Sequence, residues 1–209
     1  MGKVAEYAPS DAGAVAERLG GTAGNETLTS ATALVLVLLL LAEGVTIVWI
    51  GSLRSEHMFI GMVLIPPLLL KLGSTGYRFA RYYLGTRAYR EKGPPLLPLR
   101  LLAPFLVLTT LVVFGTGVAL LVVGHRPGLL FNVHKISFIV WGAFFGVHFL
   151  AYLSRMARSL RSDWTSAGRR RVPGSGIRLS LVVASIGGGA ALALAVLPLI
   201  TGWHGHHHG

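Results

Sequence analysis

Long apolar runs constrain this chain more than any other feature of its sequence. Five stretches, at about residues 31–50, 57–72, 101–123, 133–153 and 179–203, are dominated by Leu, Val, Ala, Ile and Phe. Each is close to the roughly 20 residues that an α-helix needs to cross a bilayer. Only 13% of the residues are charged, against about a quarter in a typical soluble domain. The sequence therefore predicts an all-α integral membrane protein with five transmembrane helices.

Two polar segments flank this predicted transmembrane domain, which covers residues 31–203. Residues 1–30 are rich in Gly, Ala, Thr and Glu, and they are predicted to form a mobile cytoplasmic tail. Residues 204–209 form a histidine-rich tail with two interpretations. It binds a transition metal weakly, or it is an incidental or tag-derived extension.

The distribution of positive charge predicts the orientation of the spans. Seven Lys and Arg residues lie between Lys71 and Arg100, and seven more lie between Arg155 and Arg178. Loops rich in Lys and Arg stay in the cytoplasm. We therefore expect both loops and the N-terminus to be cytoplasmic and the C-terminus to be outside, in the plasma (inner) membrane of a prokaryote. Because the basic residues flank apolar spans, the net charge of +11 indicates a lipid bilayer partner and no nucleic acid.

Four ionisable residues recur at one spacing on two of the spans. His134 and His148 are fourteen residues apart, which places them about 21 Å apart on nearly one face of a helix. His57 and Lys71 have the same spacing on the second span. In the predicted orientation both spans run from outside to inside. His57 and His134 then share the outer level, and Lys71 and His148 share the inner level.

This pattern favours a haem as the bound group. Ionisable side chains inside a membrane helix are costly and mark functional sites by default. The chain has no cysteine, so histidine is its main ligand type. Haem iron takes two axial donors, and facing helices of a bundle can supply one each. Glycines would allow the close approach of a flat macrocycle, and candidates are Gly61, Gly115, Gly117, Gly142 and Gly146. A separate run, Gly187 to Gly189, lies in an apolar span and predicts close helix packing.

On His57, His134 and His148, and on its helical layout, the chain resembles the membrane-bound di-haem b-type cytochromes. This group includes the cytochrome b subunits of bacterial hydrogenases. The resemblance covers roughly residues 31–203 and implies a four-helix haem-binding bundle that carries electrons to or from quinone or a partner redox protein. It implies His57 and His134 as axial iron ligands of an outer haem b, and His148 as one ligand of an inner haem. One haem is expected, and a second depends on the inner site.

The inner site departs from the family pattern, because Lys71 stands where a histidine would be expected. A neutral lysine amine can bind iron, and burial favours that form. A lysine at the end of a span also snorkels to the headgroups. In that case His148 would face a quinone or a propionate-binding pocket. Glu43, in the first span, pairs with a basic group, takes part in proton movement, or makes a structural hydrogen bond.

A second functional hypothesis is a cofactor-free membrane protein, either a metal-ion permease or an anchor subunit. A permease would gather polar groups from several spans around the bilayer midplane. Here the donors lie toward the two ends of the spans, which favours haem binding. The sequence has no flavin, nucleotide or catalytic motif, so it indicates an electron-transfer subunit more than a stand-alone enzyme.

The charge distribution yields a first prediction about topology. Reporter fusions placed after Arg90 and after Arg170 should both report the cytoplasm, because each follows part of a basic loop. An outside signal from either fusion would contradict the assignment of levels to the four ionisable residues.

Overall fold

The computed structural model describes residues 21–91, 93, 97–124, 128–164 and 172–203, without the side chains of 155–157 and 159–164. This part of the chain is helical and contains no strand. Its helices, in chain order, are α1 Gly21–Val48, α2 Arg54–Tyr83, α3 Arg87–Glu91, α4 Leu97–Val123, α5 Leu129–Trp164, α6 Ser175–Ala195 and α7 Leu197–Gly202.

Five of these helices, α1, α2, α4, α5 and α6, are long and apolar enough to cross a membrane. This confirms the predicted fold class of an all-α protein with five transmembrane helices. Large apolar side chains point away from the protein along them. Leu150 is 72% exposed and Val122 is 65% exposed. Soluble proteins rarely expose apolar surface on this scale, whereas a bilayer accommodates it. The chain is a multi-pass membrane protein.

The first helix begins earlier than predicted. α1 starts at Gly21, so residues 21–30 are helical and precede the predicted start of the first span. Polar contacts explain the difference. The Asn25 side chain donates to the carbonyl oxygen of Ser74 at 3.1 Å, and the Thr29 hydroxyl donates to the Ser74 hydroxyl at 2.9 Å. Residues 1–20 and the histidine-rich segment 204–209 lie outside the described residues.

Two other spans also differ in their bounds. α2 continues well beyond the predicted end at residue 72, and it runs through Pro66 and Pro67 as one helix. The fifth span is divided into α6 and α7. Pro198 lies in the first turn of α7. Backbone N–H groups in a first turn have no acceptor within the helix, so the N–H that proline lacks costs no hydrogen bond there.

Four helices, α1, α2, α4 and α5, pack side by side and form a ring. α1 packs against α2 and α5, and α4 packs against α5 and, less extensively, against α2. The two diagonal pairs, α2 with α5 and α1 with α4, are not closely packed within the described residues. α6 lies outside this ring against α2. The ring therefore separates α2 and α5, the two helices that carry the predicted site residues.

A glycine fixes how closely α6 approaches α2. A Cβ atom on Gly189 would overlap the backbone carbonyl of Val63, whereas one on Gly187 would meet open space. The close packing predicted for this glycine run is thus confirmed at Gly189. A buried apolar cluster extends the contact toward α4 and α7, with members Met62, Val63, Leu121, Ala193 and Ile200.

This contact gives a second prediction. Gly189→Ala should force α6 away from α2 and lower the free energy of unfolding by about 1–3 kcal/mol, as overpacking does elsewhere. Gly187→Ala adds the same methyl group to the same helix and is the matched control. Thermal unfolding of both variants in detergent measures the difference. Equal unfolding midpoints would show that the Val63 backbone does not limit the approach.

Candidate cofactor site

The rings of His57 and His134 lie next to each other at one end of the helical ring. Their centroids are 6.4 Å apart and their planes are inclined by 72°. His57 is in the first turn of α2 and His134 is in the second turn of α5. The two helices are not closely packed, so the side chains bridge the space between them. The structure therefore brings together the pair that the sequence places at one level.

The His57 ring is held through its Nδ1 atom by α1. Nδ1 lies 3.0 Å from Glu43 Oε1 and 3.3 Å from the Thr46 hydroxyl oxygen. That hydroxyl donates its single proton to the carbonyl oxygen of Glu43 at 2.6 Å, so its oxygen acts as an acceptor toward the ring. Both neighbours of Nδ1 are acceptors, which favours the tautomer with the proton on Nδ1 and the lone pair on Nε2.

The His134 ring is held in the same way by α4. Its Nδ1 lies 3.1 Å from the carbonyl oxygen of Val113 and 3.0 Å from the Thr116 hydroxyl oxygen. The Thr116 hydroxyl donates to the carbonyl of Val112 at 2.6 Å, and again its oxygen faces the ring as an acceptor. A Cβ atom on Gly117 would lie 3.2 Å from His134 Cε1, so glycine gives the ring its room.

This arrangement is the one expected of metal-binding histidines. Such residues almost always donate the second ring N–H to a carboxylate or a backbone carbonyl, and here one ring has each. An imidazole nitrogen binds a metal at about 2.0–2.1 Å. The two ring centres lie 6.4 Å apart, so both rings are within reach of one shared atom.

The number of donors distinguishes a haem from a bare metal ion. Protein sites for a bare transition-metal ion use three or four side chains. No group of three or more His, Cys, Asp or Glu residues that could hold an ion occurs in the part of the chain that the structure describes. A porphyrin supplies the equatorial nitrogens itself and needs only axial donors from the protein. The described residues therefore offer two imidazoles here, which is fewer donors than a bare ion needs from the protein.

An apolar cleft of about 190 Å³ adjoins the histidine pair between α1 and α5. Glu43 lines one part of it, and this residue also contacts His57. On the α5 side its wall is a ladder of stacked rings with centroid separations of 6.0, 4.8 and 5.8 Å, made by Phe138, Trp141, Phe145 and Phe149. The cleft is therefore apolar and aromatic, and it reaches the histidine pair through Glu43, because neither His57 nor His134 lines it.

Lys71 adopts an arrangement that the sequence does not predict. Its Nζ donates to the backbone carbonyl of Thr29 in α1 at 2.9 Å. Ser74, one turn further along α2, contacts the same segment of α1 and donates to the carbonyl of Lys71 at 3.0 Å. The amine is thus directed at a neighbouring helix and is engaged as a hydrogen-bond donor.

His148 differs from the other two histidines. Its Nδ1 is buried and has no hydrogen-bond partner among the described residues. The ring lies against Tyr152, with centroids 4.7 Å apart, and within electrostatic reach of the Lys71 amine. The structure therefore places Lys71 and His148 near the same level. Unlike His57 and His134, His148 has no hydrogen-bond acceptor at Nδ1 among the described residues.

Several residues of the site were not predicted as parts of it. Glu43 was expected to have one of three roles, and the structure shows the pairing with a basic group, His57. Thr46, Val113 and Thr116 carry no signal of their own in the sequence. Of the predicted macrocycle glycines, Gly117 faces His134 and Gly61 faces Glu43. A Cβ atom added to any of the other three, Gly115, Gly142 and Gly146, would meet open space.

No protein-family model, curated protein or solved structure matches this chain. The interpretation of the site therefore depends on its own geometry. The class of protein that this geometry defines is a helical membrane protein with two supported imidazoles inside a four-helix ring.

The support of His57 gives a third prediction. Glu43→Leu removes the carboxylate and leaves the ring N–H without its nearest acceptor, which should cost about 1–3 kcal/mol of unfolding free energy. Glu43→Gln keeps an amide oxygen of the same reach and should recover most of this loss. Thermal unfolding in detergent measures both variants. A Gln variant as unstable as the Leu variant would contradict the assigned hydrogen bond.

Proposed function

We propose that this chain is a membrane electron-transfer protein that binds one b-type haem between α2 and α5. His57 and His134 would be the axial ligands, one from each helix. The observation that carries the proposal is the pair of imidazoles 6.4 Å apart, both held by acceptors at Nδ1. The resemblance to the di-haem b-type cytochromes supports it from the sequence.

A simple ring contact is the alternative explanation for the pair. Aromatic rings commonly meet edge to face at centroid distances of about 4.5–7 Å. Such a contact needs no particular tautomer, whereas axial ligation needs an unprotonated Nε2 on each ring. In both rings the Nδ1 atom faces acceptors only, which leaves Nε2 as the lone-pair nitrogen. The support at Nδ1 therefore favours ligation over a packing contact.

The protein's own residues perform three tasks in this proposal. Glu43 and Val113 fix the tautomer and orientation of the two imidazoles. The apolar wall that includes Trp141 and Phe145 excludes polar groups from the cleft beside Glu43. Trp141 is itself held by a hydrogen bond from its ring N–H to the Thr110 hydroxyl at 2.9 Å, which ties α5 to α4. A bound haem supplies the one-electron chemistry that no side chain here provides.

The inner level supports a different role. The Lys71 amine donates to the Thr29 carbonyl of α1, so the structure gives it a partner other than iron. We propose that His57 and His134 form the only axial pair within the described residues. His148 then faces a quinone or propionate pocket, as one of the two sequence hypotheses states.

The electron partners and the orientation follow from the sequence hypotheses. The proposed protein exchanges electrons with quinone or with a partner redox protein. The positive-inside rule places the histidine pair toward the outer side of a prokaryotic plasma membrane, with the N-terminus in the cytoplasm. The rival function, a cofactor-free permease or anchor subunit, does not explain why both imidazoles are oriented by separate helices.

A fourth prediction tests the cofactor. The full chain, expressed with haem supply, should show a reduced-minus-oxidised spectrum typical of b-type haem. His57→Ala and His134→Ala each remove one axial donor, and each should abolish the signal or make it high-spin. His148→Ala and Lys71→Ala are matched controls at the other level. They should leave the haem-to-protein ratio unchanged.

Two outcomes would contradict the proposal in different ways. A flat spectrum for the unaltered chain would remove the haem altogether and favour the permease or anchor hypothesis. Loss of haem from His148→Ala equal to that from His57→Ala would show that the inner level also binds iron. Circular dichroism of each variant, compared with the unaltered chain, separates loss of ligation from loss of fold.

A further inference from the structure

A second group of polar side chains lies at the opposite end of α2 from His57. Tyr77 and Arg81 are one turn apart in the last turns of this helix, and the short helix α3 packs against it. The Tyr89 ring, from α3, meets the Tyr77 ring edge to face with centroids 6.1 Å apart. The Arg81 guanidinium lies 5.9 Å from the centroid of the Tyr77 ring. These three residues form the Tyr77–Arg81–Tyr89 cluster.

Each member of the cluster has a buried polar atom without a partner. The atoms are the hydroxyl oxygens of Tyr77 and Tyr89 and the Nε of Arg81, and none is hydrogen-bonded within the described part of the chain. Tyr89 is only 6% exposed. Buried groups without partners are rare in folded proteins, and three in one place call for an explanation. All three groups can donate a hydrogen bond, so the missing partner is an acceptor.

The electrostatics of the cluster favour an anionic acceptor. Burial raises the pKa of the Tyr89 hydroxyl and Tyr77 raises it further, while Arg81 and Arg78 lower it. The hydroxyl therefore keeps its proton at neutral pH and can donate it. Between residues 71 and 100 there are seven Lys and Arg residues and one acidic residue, Glu91. Glu91 is already paired with Arg87 at 2.8 Å, so it does not supply the acceptor.

The position of the cluster indicates where the anion comes from. α2 ends at Tyr83, where the helix leaves the apolar part of the bundle. Leu84 lies seven residues after Tyr77, on the same helical face, and it is 80% exposed. Phe79, also exposed, packs against Tyr83 with ring centroids 4.5 Å apart and planes inclined by 45°. Apolar and aromatic side chains next to basic ones are typical of the headgroup level of a bilayer, where lipid phosphates are found.

We propose that the Tyr77–Arg81–Tyr89 cluster binds the phosphate group of an anionic phospholipid. The guanidinium and the two phenol hydroxyls donate to the phosphate oxygens, and the acyl chains extend from there toward the bilayer centre. Tyr77 and Arg81 lie six and ten residues along α2 from Lys71. The site does not depend on a haem at the other end of the helix. Failure of the cofactor proposal would therefore leave this one standing.

Native mass spectrometry of the full chain in detergent tests the site. The protein is titrated with phosphatidylglycerol, with phosphatidylcholine and with inorganic phosphate. One phosphatidylglycerol should be retained more tightly than phosphatidylcholine, because choline offsets the phosphate charge. Arg81→Gln should weaken phosphatidylglycerol binding by about tenfold or more, as loss of a charged hydrogen bond does. Tyr89→Phe removes one oxygen atom and should weaken it by a few-fold.

Matched controls distinguish a specific lipid site from nonspecific electrostatic attraction. Arg87→Gln removes the same charge from a side chain that is 92% exposed on α3, and it should change binding less than about twofold. Tyr82→Phe is the corresponding control for the phenol. Equal effects of Arg87→Gln and Arg81→Gln would overturn the proposal in favour of nonspecific attraction. So would equal binding of the two lipids.

Inorganic phosphate distinguishes the two sources of the anion. No displacement of phosphatidylglycerol by millimolar phosphate is expected, since the acyl chains add to the binding of the headgroup. Displacement at that concentration would overturn the lipid assignment and make the cluster a site for a free anion. If Arg81→Gln does not fold, Tyr89→Phe decides alone, and unchanged lipid binding by that variant would contradict the proposal.

Discussion

Polar groups inside a bilayer have no water to bond with, and this constraint shapes the interior of the protein. Three threonines of this protein satisfy their hydroxyl groups with the same hydrogen-bond pattern. The hydroxyl donates its one proton to a carbonyl of its own helix, three or four residues back, as in Thr46, Thr110 and Thr116. Its oxygen is then an acceptor toward a neighbouring helix. Each of these threonines meets a ring nitrogen, on His57, Trp141 and His134 respectively.

The same pattern explains why the ring of four helices matters. α1 orients the imidazole carried by α2, and α4 orients the imidazole carried by α5. The helices that carry the imidazoles do not pack closely on each other, so their relative position depends on the two helices between them. A change in α1 or α4 that leaves both histidines in place can therefore still disturb the site. The carboxylate of Glu43 and the carbonyl of Val113 are as much parts of it as the rings.

The number of spans and the pairing of His57 with His134 could be predicted from the sequence. The lengths of the apolar runs give the number of spans, and the matched positions of the two histidines on the second and fourth spans predict the ring contact that the structure has. Which helix faces which could not be predicted, because a span that is apolar all round gives no periodic signal for its buried face. The roles of Glu43 and Thr116 depend on that arrangement. The partner of Lys71 was missed for another reason. Thr29 lies in a polar segment whose composition indicates a tail, whereas in the structure this segment is helical and contacts Ser74.

The contact between Gly189 and Val63 has a consequence for the order of assembly. α6 packs against α2 from outside the ring, and at Gly189 it contacts the backbone of Val63 directly. This contact fixes the position of α6 on α2 through the protein's own backbone. The contacts of Glu43 with His57 and of Val113 with His134 are likewise made by the protein's own atoms. We therefore expect the five helices to insert and assemble, with both imidazoles oriented, before any cofactor binds.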